Sequence, residues 1–189
     1  MPKEQRPPYE QIPDFYARID VWMSEGQLGT ERVERLVNTK PACAYASLRE
    51  QWAQHNKPLE ERWLYHGTRR ESMVSIFASG FDLKRLGSTT GNRGCYGAGI
   101  YLTPLPALAC SYSRIGVFPP PSATAVLLCK VLLGRTVILS AEEASRGKHM
   151  GMELLPGYDS HLSPGDVEVV CFDSAQVLPV AILHLTLAR

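Results

Sequence analysis

Glu168-Val-Val-Cys-Phe-Asp-Ser-Ala-Gln-Val-Leu-Pro-Val-Ala-Ile-Leu-His-Leu-Thr-Leu187 is the stretch that decides the fold class. An apolar run ends at Phe172, a turn falls at Asp173-Ser174, and a second run extends from Val177 to Leu187. Runs this rich in β-branched and apolar residues, bounded by turn residues, are strands. Working outward, Ala125 to Leu133 is another strongly apolar strand, set off by the triple proline Pro119 to Pro121 and followed by a strand from Thr136 to Leu139. A short helix then opens at Ser140, with Glu143 three residues on. Strands that follow one another with so little helix between them predict an α+β chain with a mixed, mostly antiparallel sheet core and flanking helices, not a doubly wound sheet.

Upstream, Trp63-Leu64-Tyr65 reads as a short strand ending in His66-Gly67-Thr68. Thr68 and Glu71 have capping-box spacing for a helix with Met73, Ile76 and Phe77 inward and Gly80 at its end. Gly87 to Gly94 has neither period and reads as a flexible loop. Ile100 to Thr103 resumes a strand, and Thr103-Pro104 starts a helix through about Ser113. Before Pro58, helical spacing predicts support helices over Pro13 to Met23, Glu31 to Val37, and Pro41 to His55. The organisation expected is a flexible lead-in over 1–12, a helical N-terminal support region over 13–58 and a core over 59–189, one domain overall.

Composition excludes several classes of function. The 189 residues carry 20 Lys plus Arg against 19 Asp plus Glu, a net charge of +1, so no domain-wide field holds a polyanion and constitutive nucleic-acid binding is not expected. Five cysteines, odd in number, scattered and without a CxxC pair, argue against both a disulfide framework and a structural metal. They predict reduced thiols in a reducing compartment, cytoplasm or nucleus, with delivery into a host cell as the alternative. Ala125 to Leu133 is too short for a membrane span and contains Lys130, so no membrane association is expected.

Three local constellations carry chemistry. His66-Gly67-Thr68 places bare backbone and a helix N-terminus beside an imidazole, although by itself it also reads as a capped turn. Tyr96-Gly97-Ala98-Gly99-Ile100-Tyr101 sets glycines between aromatics, where a flat ligand could lie on a ring; alone it also reads as a glycine-kinked strand. Glu168 is an acid in an apolar strand, with a solvent-facing glutamate as the alternative.

In this order the three resemble the poly(ADP-ribose) polymerase family of ADP-ribosyltransferases. The resemblance is carried by Leu64-Tyr65-His66-Gly67-Thr68-Arg69, by Tyr96 to Tyr101, by Leu128-Cys129-Lys130-Val131-Leu132-Leu133-Gly134, by Pro156 to Ser160 and by Glu168 to Pro179. It implies the ADP-ribosyltransferase fold with a split sheet, and an H-Y-E triad of His66, Tyr101 and Glu168. It also implies NAD as co-substrate, with His66, Gly67, Thr68, Tyr101, Ser111 and Tyr112 as its contacts and no metal. Under it, Gly67 offers backbone to the nicotinamide amide, Tyr101 and Tyr112 sandwich the ring, and His66 bonds the adenosine ribose. Glu168 faces the charge that grows at the anomeric carbon. The implied reaction transfers ADP-ribose from NAD to a macromolecular acceptor, taken to be a protein, by a monomer. Single-unit transfer is favoured over polymer, and a catalytically weak NAD or ADP-ribose binding module or an NAD glycohydrolase is the alternative. Two positions depart from the family pattern. Ala109 stands where many members carry a serine, with Ser111 and Ser113 nearby, and Ala98 stands where lysine is frequent. Lys84, Arg85 and Arg93 are candidate pyrophosphate partners that read equally well as solvated charges, and regulation by DNA damage is not expected.

Overall fold

The computed structural model describes residues 28–35, 37–86, 94–114 and 123–187. The lead-in over 1–12, the helix expected over 13–23, most of the loop from Gly87 to Gly94, and the triple proline lie outside them.

Two four-stranded sheets form the framework. In the first the order is β1 (Leu28–Arg35), β8 (Val177–Leu187), β4 (Ala123–Leu132) and β2 (Glu61–His66), all antiparallel. In the second it is β3 (Ile100–Leu102), β7 (Val169–Cys171), β6 (Ser160–Leu162) and β5 (Thr136–Ile138), where only β5 and β6 run parallel. The split core is therefore mostly antiparallel, as the strand-rich last third predicts. The sheets meet where Tyr65 and Thr103 exchange backbone hydrogen bonds of 2.8 and 2.9 Å, one residue before His66.

Strand β4 explains why its sequence is apolar at nearly every position. Successive side chains point to opposite faces of a strand. Val126 and Leu128 join Leu183, Leu185 and Cys110 on one side, while Leu127, Cys129 and Val131 join Ile100, Leu102, Val169 and Met73 on the other. Both faces are covered along Val126 to Leu132, where the one polar residue, Lys130, is half-buried and ion-paired with Glu61 on β2 at 2.9 Å. Helix α1 (Thr39–Gln54) adds Tyr45 and Trp52 against Leu132. Helix α2 (Arg70–Ser79) follows β2, α3 (Pro106–Ser113) follows β3, and the short α4 (Ala141–Ser145) opens at Ser140, whose side chain accepts from the Glu143 N–H as expected. Among the described residues no helix is long and apolar enough to cross a membrane.

Three local expectations are corrected. Of the helix expected over 31–37, residues 31–35 are instead part of strand β1, paired along β8 with Val33 opposite Leu183 and Glu34 accepting a 2.9 Å contact from His184. The spacing of Val33 and Val37 suits a helix, but pairing with the edge of the long β8 satisfies more backbone and decides the outcome. Helix α2 begins after Arg69, one residue later than the Thr68–Glu71 box requires, and Thr68 faces a cavity. Helix α3 begins at Pro106, not Pro104, because Thr103 is still bridged to Tyr65 and its Oγ1 accepts from the Leu105 N–H at 3.0 Å.

Candidate active site

A cavity of about 490 Å³ opens where the two sheets meet. Its position follows from the chain order. Strand β2 ends at His66, and the next residue must let α3 approach, since a Cβ built on Gly67 would lie 1.8 Å from the Ala109 carbonyl oxygen. Only glycine permits that approach. Gly67 and Ala109 line the cavity together with His66, Thr68, Tyr101, Tyr112 and Glu168.

His66 Nδ1 lies 2.8 Å from the Tyr101 carbonyl oxygen, and its ring meets Phe81 edge-on with centroids 4.9 Å apart. A carbonyl only accepts, so Nδ1 carries the proton. Burial holds this imidazole below its ordinary range, against the opposite pull of the Tyr101 carbonyl. The neutral ring is left with Nε2 as an acceptor.

Tyr101 is fixed by its own loop. Its hydroxyl accepts from the Tyr96 N–H at 2.8 Å and donates to the Gly97 carbonyl at 2.9 Å. Gly97 allows this geometry with a φ of 117°, which side chains rarely adopt. Burial, foremost, keeps the phenol protonated, so its one proton is committed to the loop and the residue offers the cavity its ring.

Tyr112 instead turns its hydroxyl to Glu168, donating to Oε1 at 2.9 Å. Its pKa is pushed up to about 12, first by burial and then by that carboxylate, so the donor stays protonated at neutral pH. The backbone of Glu168 is held as well. Its N–H donates to Ser163 Oγ at 2.8 Å and its carbonyl accepts from the Ser163 N–H at 2.9 Å. The half-buried Glu168, expected inside a strand, lies immediately before β7 and faces the cavity.

Of the residues singled out from the sequence, His66, Gly67, Thr68, Tyr101, Tyr112 and Glu168 converge on this cavity and Ser111 does not. Residues three apart on a helix share a face and residues two apart do not, so with Ala109 and Tyr112 inward Ser111 is turned outward. It is exposed and donates to the Leu108 carbonyl at 2.7 Å. Ser113 is likewise engaged, donating to the Ala125 carbonyl at 2.8 Å. Of the three basic candidates, Arg85 lines the cavity and donates to Ser75 Oγ at 3.0 Å, Lys84 does not line it, and Arg93 lies outside the described residues. Phe81 and Ser163 were not legible as site residues. An apolar residue just past the helix-ending Gly80 and a serine five positions before the acid are the only signals they leave. Among the described residues no group of three or more His, Cys, Asp or Glu is placed to hold a metal ion.

No curated protein matches the chain. The sequence model of the poly(ADP-ribose) polymerase catalytic domain matches residues 24–177, which reach from just before β1 to the first residue of β8 and include every residue of the cavity. With that match across most of its length, an α+β split sheet and the cavity between its halves, the chain belongs to the poly(ADP-ribose) polymerase catalytic domain family, the NAD-dependent ADP-ribosyltransferases.

Proposed function

We propose that this cavity binds NAD through His66, Gly67, Thr68, Tyr101 and Tyr112, that Glu168 stabilises the transition state, and that the product is a protein carrying single ADP-ribose units. The observation that carries this reading is the pairing, in one cavity, of a neutral histidine acceptor with a carboxylate held by a tyrosine hydroxyl. NAD asks for both. Its ribose hydroxyls are donors that suit a free Nε2, and its nicotinamide leaves from a carbon that gains positive charge, as in glycoside cleavage. A carboxylate already oriented before the bond breaks stabilises that charge without reorganising. The Tyr112–Glu168 bond also restrains where the stacking ring lies relative to the acid. A cationic nicotinamide ring is drawn to aromatic faces, which Tyr101 and Tyr112 supply. With Ala109 lacking a hydroxyl and Ser111 outside the cavity, the amide depends on the bare backbone at Gly67.

Glu168 is compatible with chain elongation as well as single transfer, so the length of the product decides between them. Incubating the protein with labelled NAD and a lysate, then resolving products by gel and mass spectrometry, tests the function. Discrete mass increments of one ADP-ribose are expected on protein. Ladders would establish polymer, and nicotinamide release without protein label would establish a glycohydrolase.

Benzamide soaked into crystals should lie between Tyr101 and Tyr112 over Gly67. Density for it elsewhere would refute the slot. Replacing His66 with Ala should weaken NAD binding as well as turnover, because its partner is a hydroxyl present before any charge develops. The sign of the pH dependence follows from the lowered pKa of His66. The unfolded imidazole binds a proton near its ordinary value of 6.5 and the folded one only below it, so stability is full above that value and is lost as pH falls, while NAD affinity is lost further down, where the folded imidazole takes a proton on Nε2 and no longer accepts. Calorimetry of NAD binding between pH 5 and 8, for wild type and His66→Ala, checks both statements: the acid loss should be present in the first and reduced in the second.

A further inference from the structure

Strand β6 and the residue after it, Ser160-His161-Leu162-Ser163, are buried throughout, with exposures of 0, 0, 5 and 2%. Three polar side chains in four core positions are costly unless each is bonded. Each is. Ser160 Oγ donates to the Leu133 carbonyl at 2.9 Å and serves the framework. The other two reach the active site from beneath.

His161 Nδ1 donates to the Tyr96 carbonyl at 2.8 Å, and Nε2 accepts from the Leu155 N–H at 3.0 Å. Both ring nitrogens are used, which fixes the tautomer and ties the Tyr96 peptide to the core. That peptide's neighbour in the chain of bonds is Tyr101, whose hydroxyl accepts from the Tyr96 N–H. The sheet adds a second link, because His161 pairs with Val170 and Val170 with Tyr101. Residues directly opposite in antiparallel pairs project from the same face, so His161 and Tyr101 stand on one face with Val170 between them. Ser163, two residues later, takes both backbone groups of Glu168. The loop it closes contains Gly165 and Asp166, both at positive φ, and Asp166 is paired with Arg62 on β2.

We propose that His161 and Ser163 are the positioning residues of the donor site, His161 setting the aromatic wall and Ser163 the carboxylate. The proposal rests on the roles given above to Tyr101 and Glu168. It has a consequence that plain packing lacks, because two nearly adjacent side chains of one short segment act on different stages of the reaction. A displaced ring weakens binding of NAD in the ground state and raises KM. A displaced carboxylate is missed only when charge develops and lowers kcat.

Steady-state nicotinamide release by the full chain, measured over a range of NAD for wild type, His161→Ala, His161→Asn, Ser163→Ala and Glu168→Gln, tests it. His161→Ala is expected to raise KM about tenfold with kcat changed less than about threefold, since small misplacements of binding groups have effects of this size. The amide nitrogen of Asn occupies the place of Nδ1 and can donate to Tyr96, so His161→Asn should recover most of the affinity. Ser163→Ala is expected to lower kcat about tenfold and leave KM within about twofold. Equal effects on kcat and KM from both positions, or lowered melting temperatures with native kinetic constants, would overturn the proposal. If His161→Ala does not fold, Ser163→Ala decides: a lowered kcat at native KM supports the proposal and a native kcat overturns it. Glu168→Gln separates the two levels of the argument. Full turnover in that variant removes the role of Glu168 and the proposal with it, whereas loss of turnover there with a native Ser163→Ala enzyme removes only the positioning.

Discussion

Glu168→Gln is expected to slow nicotinamide release by about a hundredfold to a thousandfold while NAD affinity stays within a few-fold. The substitution keeps the shape of the side chain and both backbone bonds to Ser163, and the amide oxygen can still accept from Tyr112 at the position of Oε1. What it removes is the negative charge. In the ground state that charge faces a neutral ribose and contributes little, so binding is spared. In the transition state it faces a carbon losing its leaving group, inside a cavity where water screens poorly, so the loss falls on the rate. If the wild type makes polymer, the variant should stop at single units, since the acceptor hydroxyl loses the same carboxylate. Nicotinamide release and gel-resolved product length, compared for the two proteins, are the measurements. Near-normal release would return Glu168 to the status of an acidic strand residue with no part in catalysis.

Gly67→Ala is expected to lower NAD affinity by at least about tenfold and to lower the melting temperature by several degrees, because overpacking a tight contact costs on the order of 1–3 kcal/mol. The added methyl would sit 1.8 Å from the carbonyl oxygen of Ala109 and 2.6 Å from its carbonyl carbon. These are backbone atoms of α3, so no rotamer change relieves the clash. Either β2 or α3 must shift, and the shift moves His66 against Tyr112 across the cavity. Trimming the neighbour does not help, and Gly67→Ala combined with Ala109→Gly should be no better than Gly67→Ala alone. Calorimetry with NAD and a thermal melt of all three proteins check this. Native affinity in Gly67→Ala would show that this contact does not set the cavity.

The strands of the last third and the long apolar β4 were legible because their signals are local. Burial on both faces demands apolar residues at consecutive positions, and short turns demand particular residues between strands. Of the residues that line the cavity, His66, Gly67, Tyr101 and Glu168 stand out in the sequence as glycines beside histidine and tyrosines and an acid in an apolar run, each with an ordinary packing alternative, and the resemblance to the family selects among these readings. Strand β6 is not legible because three residues carry too little pattern, and because two of its members, Ser160 and His161, are polar. Their polarity has a cause outside the strand, in the Leu133 and Tyr96 carbonyls that they hold. Ser111 lies outside the cavity because it is two residues from Ala109 and so does not share its face of α3, a matter of helix phase that nearness in sequence does not convey.

The sequence by itself determined the fold class and the order of the strands from β2 onward except β6, since each is written in composition and spacing along a short stretch of chain, and its motifs carried the resemblance from which the candidate site residues follow. Tertiary structure alone decided that residues 28–35 are a strand, where pairing with β8 outweighs helical spacing. It also decided that Ser111 faces outward while Tyr112 reaches Glu168, and that β6 together with the following Ser163 backs both walls of the cavity. These outcomes depend on pairing partners and facing angles supplied by segments up to about 150 residues away, as between Glu34 and His184, and no local pattern encodes a partner at that distance.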